Sequence, residues 1–344
     1  MPVGWIPLKT RLRWLMIRVV SRHTRPDASP TTGRWPGSRK IADTTPSRDT
    51  NRGSDEDLDA ELLQTALSAA RSAAELHDDA AGSLDPADWG EKDPSDFVTE
   101  VDCRSERRIV DIITGRFPHH GILAEEGTEV DVGRDILWII DPLDGTTNWL
   151  HDYPEYAVSI AALDADGLRV GVVLNSARGE EFAAVRGGGA TLDGRPIRVS
   201  ALDDLRLALI GTGFPFKRSE LVPDYLETLG TVLEATSGVR RAGAAALDLC
   251  SVACGRLDAF WEHWLMPWDV AAGALIVREA GGSFGTLPVG EEHALIGPSR
   301  GGAAATAVFD GRADDLVPGP GAFMAGNAVL DEAFVRLLGA TLGR

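Results

Sequence analysis

Trp138-Ile139-Ile140-Asp141-Pro142-Leu143-Asp144-Gly145-Thr146-Thr147-Asn148 is the most informative stretch of the chain. Its dense apolar start reads as a buried strand that ends at Asp141-Pro142, because proline cannot donate to a ladder. Asp144 follows three residues later, directly before a Gly-Thr-Thr that can open a helix. Two acids thus converge beside free backbone N–H groups. Such a junction suits a phosphate monoester: hard cations take carboxylate oxygens, and the amides of Gly145, Thr146 and Thr147 receive the anion. The same residues also read as a strand, a turn and an N-capping Asp that hold no ligand.

Further acids sit at element ends on either side. Glu125-Glu126 closes the short apolar run Gly121–Ala124, and Trp268-Asp269 opens a helix. Clustered like charges repel unless cations or helix dipoles offset them. The plainer alternatives are an exposed acidic turn for Glu125-Glu126 and an N-cap for Asp269 after Pro267.

The rest of the chain reads as mixed α and β. Apolar residues recur at helical spacing from Leu58 to about Ala81, and a second helix follows Asp96-Phe97-Val98-Thr99 with the stripe Ile109, Ile112, Ile113. Thr99 and Asp102 form a capping-box pattern. Strands are expected at Tyr156–Leu163, Leu168–Leu174, Glu181–Val185, Gly194–Val199, Leu207–Ile210 and Asp258–Glu262. Helices are expected at 221–235, 247–253, 270–280 and 330–338. Irregular alternation with several hairpins fits layered sheets with helices between and outside them, rather than a Rossmann fold or TIM barrel.

Composition narrows the function classes. The 344 residues carry a net charge of −18, but residues 1–52 hold eleven Lys/Arg against three Asp/Glu. The remaining 292 residues therefore hold 23 basic and 49 acidic side chains, a balance of −26. An acidic body disfavours non-specific contact with nucleic acid or anionic lipid. The basic, Arg/Ser/Thr/Pro-rich start reads as a disordered extension, residues 1–55, before a domain spanning 56–344. Its arginines interrupt the only candidate signal core, so a cytoplasmic protein is expected. Three cysteines point to a reducing compartment. Cys103, Cys250 and Cys254 read as buried structural thiols, His119-His120 as surface residues and Gly187-Gly188-Gly189 as a turn.

Four motifs in order, Asp96 to Asp102, Ala124 to Gly127, Asp141 to Asn148 and Trp268 to Gly273, resemble those of inositol monophosphatases. The resemblance runs from about Leu58 to the end. Gly213-Phe214-Pro215-Phe216-Lys217 and Arg240 to Leu249 look like the bacterial SuhB-type branch. It implies an α+β fold, a layered αβαβα sandwich, a homodimer, and a Mg²⁺-dependent phosphomonoesterase acting on a phosphorylated polyol, first of all inositol monophosphate. Fructose 1,6-bisphosphate, histidinol phosphate and 3′-phosphoadenosine nucleotides are substrates of the wider superfamily, and SuhB-type proteins also partner transcription machinery.

Carried over residue by residue, the resemblance assigns metal to Glu125, Asp141, Asp144, Asp269 and the Leu143 carbonyl. It assigns a metal-activated water to Glu125 and Thr146, with Asp102 orienting Thr146. It assigns substrate to Gly145, Thr146, Thr147, the backbone at Ala245, and Glu262. Lys92 matches a loop lysine of the family or is a surface lysine. Nucleic acid would bind, if at all, through the basic extension. The stretch 288–324 is longer than the family's usual connection and has no assigned function.

Overall fold

The computed structural model describes residues 49–82, 90–93, 96–130, 135–216, 218–287 and 321–342. These residues all fall within one unit, 48–344. Helix α1 (Asp49–Ala80) precedes a hairpin of β1 (Gly90–Asp93) and β2 (Asp96–Val98), then α2 (Glu100–Arg116). α2 starts where the sequence says it should: Thr99 accepts from the amides of Val101 and Asp102, and Asp102 returns the bond to the Thr99 amide.

An eight-stranded sheet follows, made of β3 (Gly121–Ala124), β4 (Glu129–Val130), β5 (Leu137–Asp144), β6 (Ala157–Asp164), β7 (Gly167–Asn175), β8 (Glu180–Val185), β9 (Gly189–Leu192) and β10 (Arg195–Pro196). Helix α3 (Thr146–Leu150) lies between β5 and β6. The strand order is β10-β9-β8-β7-β6-β5-β3-β4, antiparallel except for the β3–β5 pair.

The second half runs β11 (Leu209–Thr212), α4 (Val222–Ala235), β12 (Gly238–Arg240), α5 (Ala245–Ala253), β13 (Ala259–Leu265), α6 (Pro267–Glu279), β14 (Gly282–Thr286), β15 (Gly321–Asn327) and α7 (Asp331–Leu342). Its five strands pair in the order β12-β11-β13-β15-β14.

Three of the four apolar cores among the described residues stack the layers. Leu62, Ala66, Ala70 and Ala73 of α1 and Ile109 and Ile113 of α2 bury against Ile122, Trp138, Ile140, Ile160 and Val172 on one face of the large sheet. Its other face, with Ile139, Ala161 and Val173, packs on α5 and α6, which also cover Phe260, Phe284 and Ala325 of the small sheet. The outer face of the small sheet, Ile210, Trp261 and Met324, is closed by Tyr225 and Val232 of α4 and Phe334 and Leu338 of α7. The result is the expected αβαβα order. Each large apolar side chain taken fully out of water contributes roughly 1.5–3 kcal/mol.

Several local expectations change. α1 begins at Asp49, inside the stretch read as an extension; the rest of that expectation, residues 1–48, lies outside the described residues. β5 does not stop at Asp141-Pro142 but continues to Asp144 through a bulge. Of the strand expected at Gly194–Val199 only Arg195–Pro196 forms, as β10 paired with β9. Leu205–Leu207 is a 3₁₀ turn, because the Asp204 side chain accepts from the Arg206 amide, and β11 starts only at Leu209. His119 is exposed, but His120 is half-buried, stacked on Phe117 and bonded to Trp138 Nε1. Cys250 is buried, whereas Cys103 and Cys254 are only partly so, and all three thiols are free. Lys92 falls in β1, and most of the long 288–324 connection lies outside the described residues.

Candidate active site

β3 and β5 run parallel with Ala124 opposite Ile140, so the next residues, Glu125 and Asp141, leave the same sheet edge side by side. The Glu125 amide donates to the Ile140 carbonyl at 3.1 Å, which extends that register by one step. On a regular strand, residues three apart point to opposite faces. The register shift between Asp141 and Asp144 breaks that alternation. Asp144 therefore adds its charge to the one already weighing on Asp141.

The three aspartates each accept a hydrogen bond from a backbone amide. Asp141 accepts from Leu143 N at 3.0 Å, closing an Asx-type turn. Asp144 accepts from Ala246 N at 2.8 Å, 102 residues away at the start of α5. Asp269 accepts from Met266 N at 2.7 Å. It is thus the third residue of α6 and reaches back to the preceding turn, rather than serving as the N-cap, a position held by Met266.

Gly145 bridges β5 and α3 with φ +89, a conformation that L side chains rarely adopt. A Cβ there would also stand 2.9 Å from the Glu155 carbonyl. Thr146 Oγ1 lies 3.0 Å from Asp102 Oδ1 and 3.1 Å from the Leu143 carbonyl. The other Asp102 oxygen takes the Thr99 amide at 2.8 Å and the Thr99 hydroxyl at 2.5 Å. Capping α2 and contacting Thr146 are therefore the work of one carboxylate.

Burial and like charge dominate the electrostatics. Asp141 is raised well above the carboxylate range, first by burial and then by Glu125, Asp144 and Asp269, all of one sign. Asp144 is pushed up to about 7, chiefly by burial, with the Ala246 amide opposing. Asp102 is pushed up to about 6 by burial, opposed by its Thr99 bonds. Asp248 on α5, given no role on sequence grounds, is buried and also raised well above the usual range, by desolvation first and then by Glu262 and Asp144. Its signal was its place in the Arg240 to Leu249 motif, but a helix pattern alone does not say what a buried acid faces.

Glu262, on β13, packs onto Gly213: a Cβ at Gly213 would fall 2.0 Å from the Glu262 carboxyl atoms. Arg241 lowers Asp144 and Asp248 and lies over Phe214 and Phe216, 5.3 and 5.0 Å from their ring centroids. Ala245 is the first residue of α5, adjacent to the amide that holds Asp144. Thr147 is exposed on α3.

Among the described residues, no three His, Cys, Asp or Glu side chains already have the spacing of a metal shell. The carboxylates of Asp141, Asp144 and Asp269 rest on backbone amides, and Glu125 contacts Asp141. Their chemistry nonetheless fits a hard divalent cation: the donors are oxygen only, and the charge bearing on Asp141 is uniformly negative. Without a cation, burial and repulsion favour protonation of Asp141 and Asp144.

The profile of the inositol monophosphatase family matches residues 58–317. The chain belongs to that family. The Nus factor SuhB of Pseudomonas aeruginosa is 50% identical over 226 residues, 64% of this chain and 83% of that protein. The Nus factor SuhB of Escherichia coli is 42% identical over 237 residues, 69% of this chain and 89% of that protein. The solved inositol monophosphatase of Anabaena superposes with a TM-score of 0.66 at 35% identity, over 82% of this chain and 96% of its own. Family and fold together support phosphatase chemistry for this chain.

Proposed function

We propose that this chain is a Mg²⁺-dependent phosphomonoesterase that hydrolyses inositol monophosphate by direct attack of water on phosphorus. One observation carries this reading: buried Asp141 is surrounded by Glu125, Asp144 and Asp269, while Thr146 is bonded to Asp102 beside them. Glu125, Asp141, Asp144, Asp269 and the Leu143 carbonyl would hold Mg²⁺. When bound there, such a cation would supply Lewis-acid neutralisation of phosphate oxygens and a more acidic water.

The remaining roles belong to the chain itself. Thr146 donates its proton to Asp102, which leaves the lone pairs of its oxygen to accept a hydrogen from the attacking water. Glu125 takes part in positioning and deprotonating that water. The Gly145, Thr146 and Thr147 amides orient the phosphate. Glu262 and the Ala245 backbone receive substrate hydroxyls, since a carboxylate can accept two of them at once.

The test is phosphate release from myo-inositol 1-phosphate, fructose 1,6-bisphosphate, histidinol phosphate and phosphoadenosine phosphate, with Mg²⁺ or EDTA, for wild type and Asp141→Asn. Metal-dependent turnover of the inositol ester, lost in the variant, is the expected result. Turnover of none of the four would overturn the reading.

The name Nus factor carried by two relatives favours a second role, as a partner of transcription machinery in the cytoplasm. The −26 balance beyond residue 52 makes the acidic body an unattractive surface for RNA, which favours the basic extension for any such contact. Salt-dependent RNA binding that disappears on deleting residues 1–55 tests this version. No described helix is long and apolar enough to cross a membrane. We also carry the homodimer as a proposal, checked by sedimentation.

A further inference from the structure

Glu106 is 4% exposed on α2, one helical turn after Asp102, so both carboxylates share one face of the helix. Asp102 reaches Thr146. Glu106 reaches the turn after β3: one oxygen accepts from Glu126 N at 2.6 Å, and the other from Thr128 N at 3.0 Å and Thr128 Oγ1 at 2.6 Å. Glu125 is thereby fixed from both sides, its own amide on Ile140 and the next amide on Glu106. The turn itself is tight, with Gly127 at φ +109 and the Ala124 amide on the Thr128 carbonyl at 3.0 Å.

Burying a carboxylate is costly, and cores rarely retain one without a use. Here both oxygens face donors, a demand that only an ionised carboxylate meets in full. A glutamine of the same size turns an NH₂ toward a backbone N–H whichever way its amide is flipped.

We propose that Glu106 is a positioning residue for the metal site: it holds the turn 125–128 so that the Glu125 carboxylate meets Asp141. The inference rests on the metal reading above and deepens it. Partners that orient metal ligands typically govern affinity by about 10- to 100-fold.

The experiment measures Mn²⁺ binding to the EDTA-treated full chain by the electron paramagnetic resonance of free Mn²⁺, together with the Mg²⁺ dependence of turnover and the melting temperature. Glu106→Gln is expected to weaken Mn²⁺ binding by about 10- to 100-fold. It should need correspondingly more Mg²⁺ for half-maximal activity, and leave the substrate KM at saturating Mg²⁺ near that of wild type. Thr128→Val, which removes one of the three bonds, should move the same quantities by about threefold. Wild-type Mn²⁺ affinity in folded Glu106→Gln would make Glu106 a structural clamp only and overturn the inference. If that variant does not fold, unchanged Mn²⁺ affinity in Thr128→Val overturns it. A wild type that binds no Mn²⁺ removes the metal reading itself, and this inference with it.

Discussion

Thr146 Oγ1 stands 3.0 Å from Asp102 Oδ1, although 44 residues separate them. The same aspartate closes the capping box of α2, so the start of one helix sets the orientation of a hydroxyl on another. Thr146→Val should lower kcat by about 10²- to 10⁴-fold, the usual contribution of a positioned proton acceptor, with little change in KM. In Asp102→Asn, an amide oxygen turned to Thr99 leaves the NH₂ facing Thr146, which reverses the bond. Steady-state kinetics should give that variant a similar loss, and the double variant no more than either alone. Additive losses would separate the two residues.

Asp141 is buried among like charges, so its removal should stabilise the metal-free protein while abolishing turnover. Asp141→Asn keeps an oxygen for the Leu143 amide. In EDTA its melting temperature should rise by about 2–4 °C for each kcal/mol of repulsion relieved. Calorimetry in EDTA checks this, and a fall would mean that Asp141 is held mainly by its hydrogen bonds.

Acid should weaken the fold through His77. Burial depresses this side chain from about 6.5 to about 4, opposed in part by the Pro142 backbone. A base with a lowered folded pKa stays neutral in the native state, while the unfolded chain takes up a proton below about 6.5. The stability is present above that pH and is lost as pH falls toward 4, with roughly 2 kcal/mol gone at pH 5. Urea unfolding at pH 7.5 and pH 5 should show this loss in wild type and less of it in His77→Gln, a comparison in which the carboxylates cancel.

Gly213 leaves room for the Glu262 carboxylate. Gly213→Ala should displace that flexible end, not the backbone, and so cost little stability. If Glu262 receives substrate hydroxyls, KM for the inositol ester should rise by about 10- to 100-fold at nearly unchanged kcat. An unaltered KM would remove Glu262 from the substrate site.

What could be read in advance follows the range of the interactions involved. The Thr99 and Asp102 capping box lies within one helical turn, and its geometry follows from residue types alone. The apolar run 137–140 identifies a buried strand by hydrophobicity. Gly194–Val199 pairs only at Arg195–Pro196, because how far a short segment follows its partner strand is set by the sheet and not by local alternation.

Residue types alone fix which positions carry charge, where helices can start, and that acids gather at element ends. Which of those acids meet is settled by strand pairing and packing. Glu125 joins Asp141 because β3 and β5 pair in one parallel register. Asp144 and Asp141 combine because a bulge breaks the alternation between them, and Asp144 finds the Ala246 amide across 102 residues. Glu106 meets Glu126 and Thr128 because α2 packs over the end of β3. Capping and hydrophobic periodicity act over a few neighbouring positions, whereas register and packing depend on the whole chain at once, and those contacts shape the site.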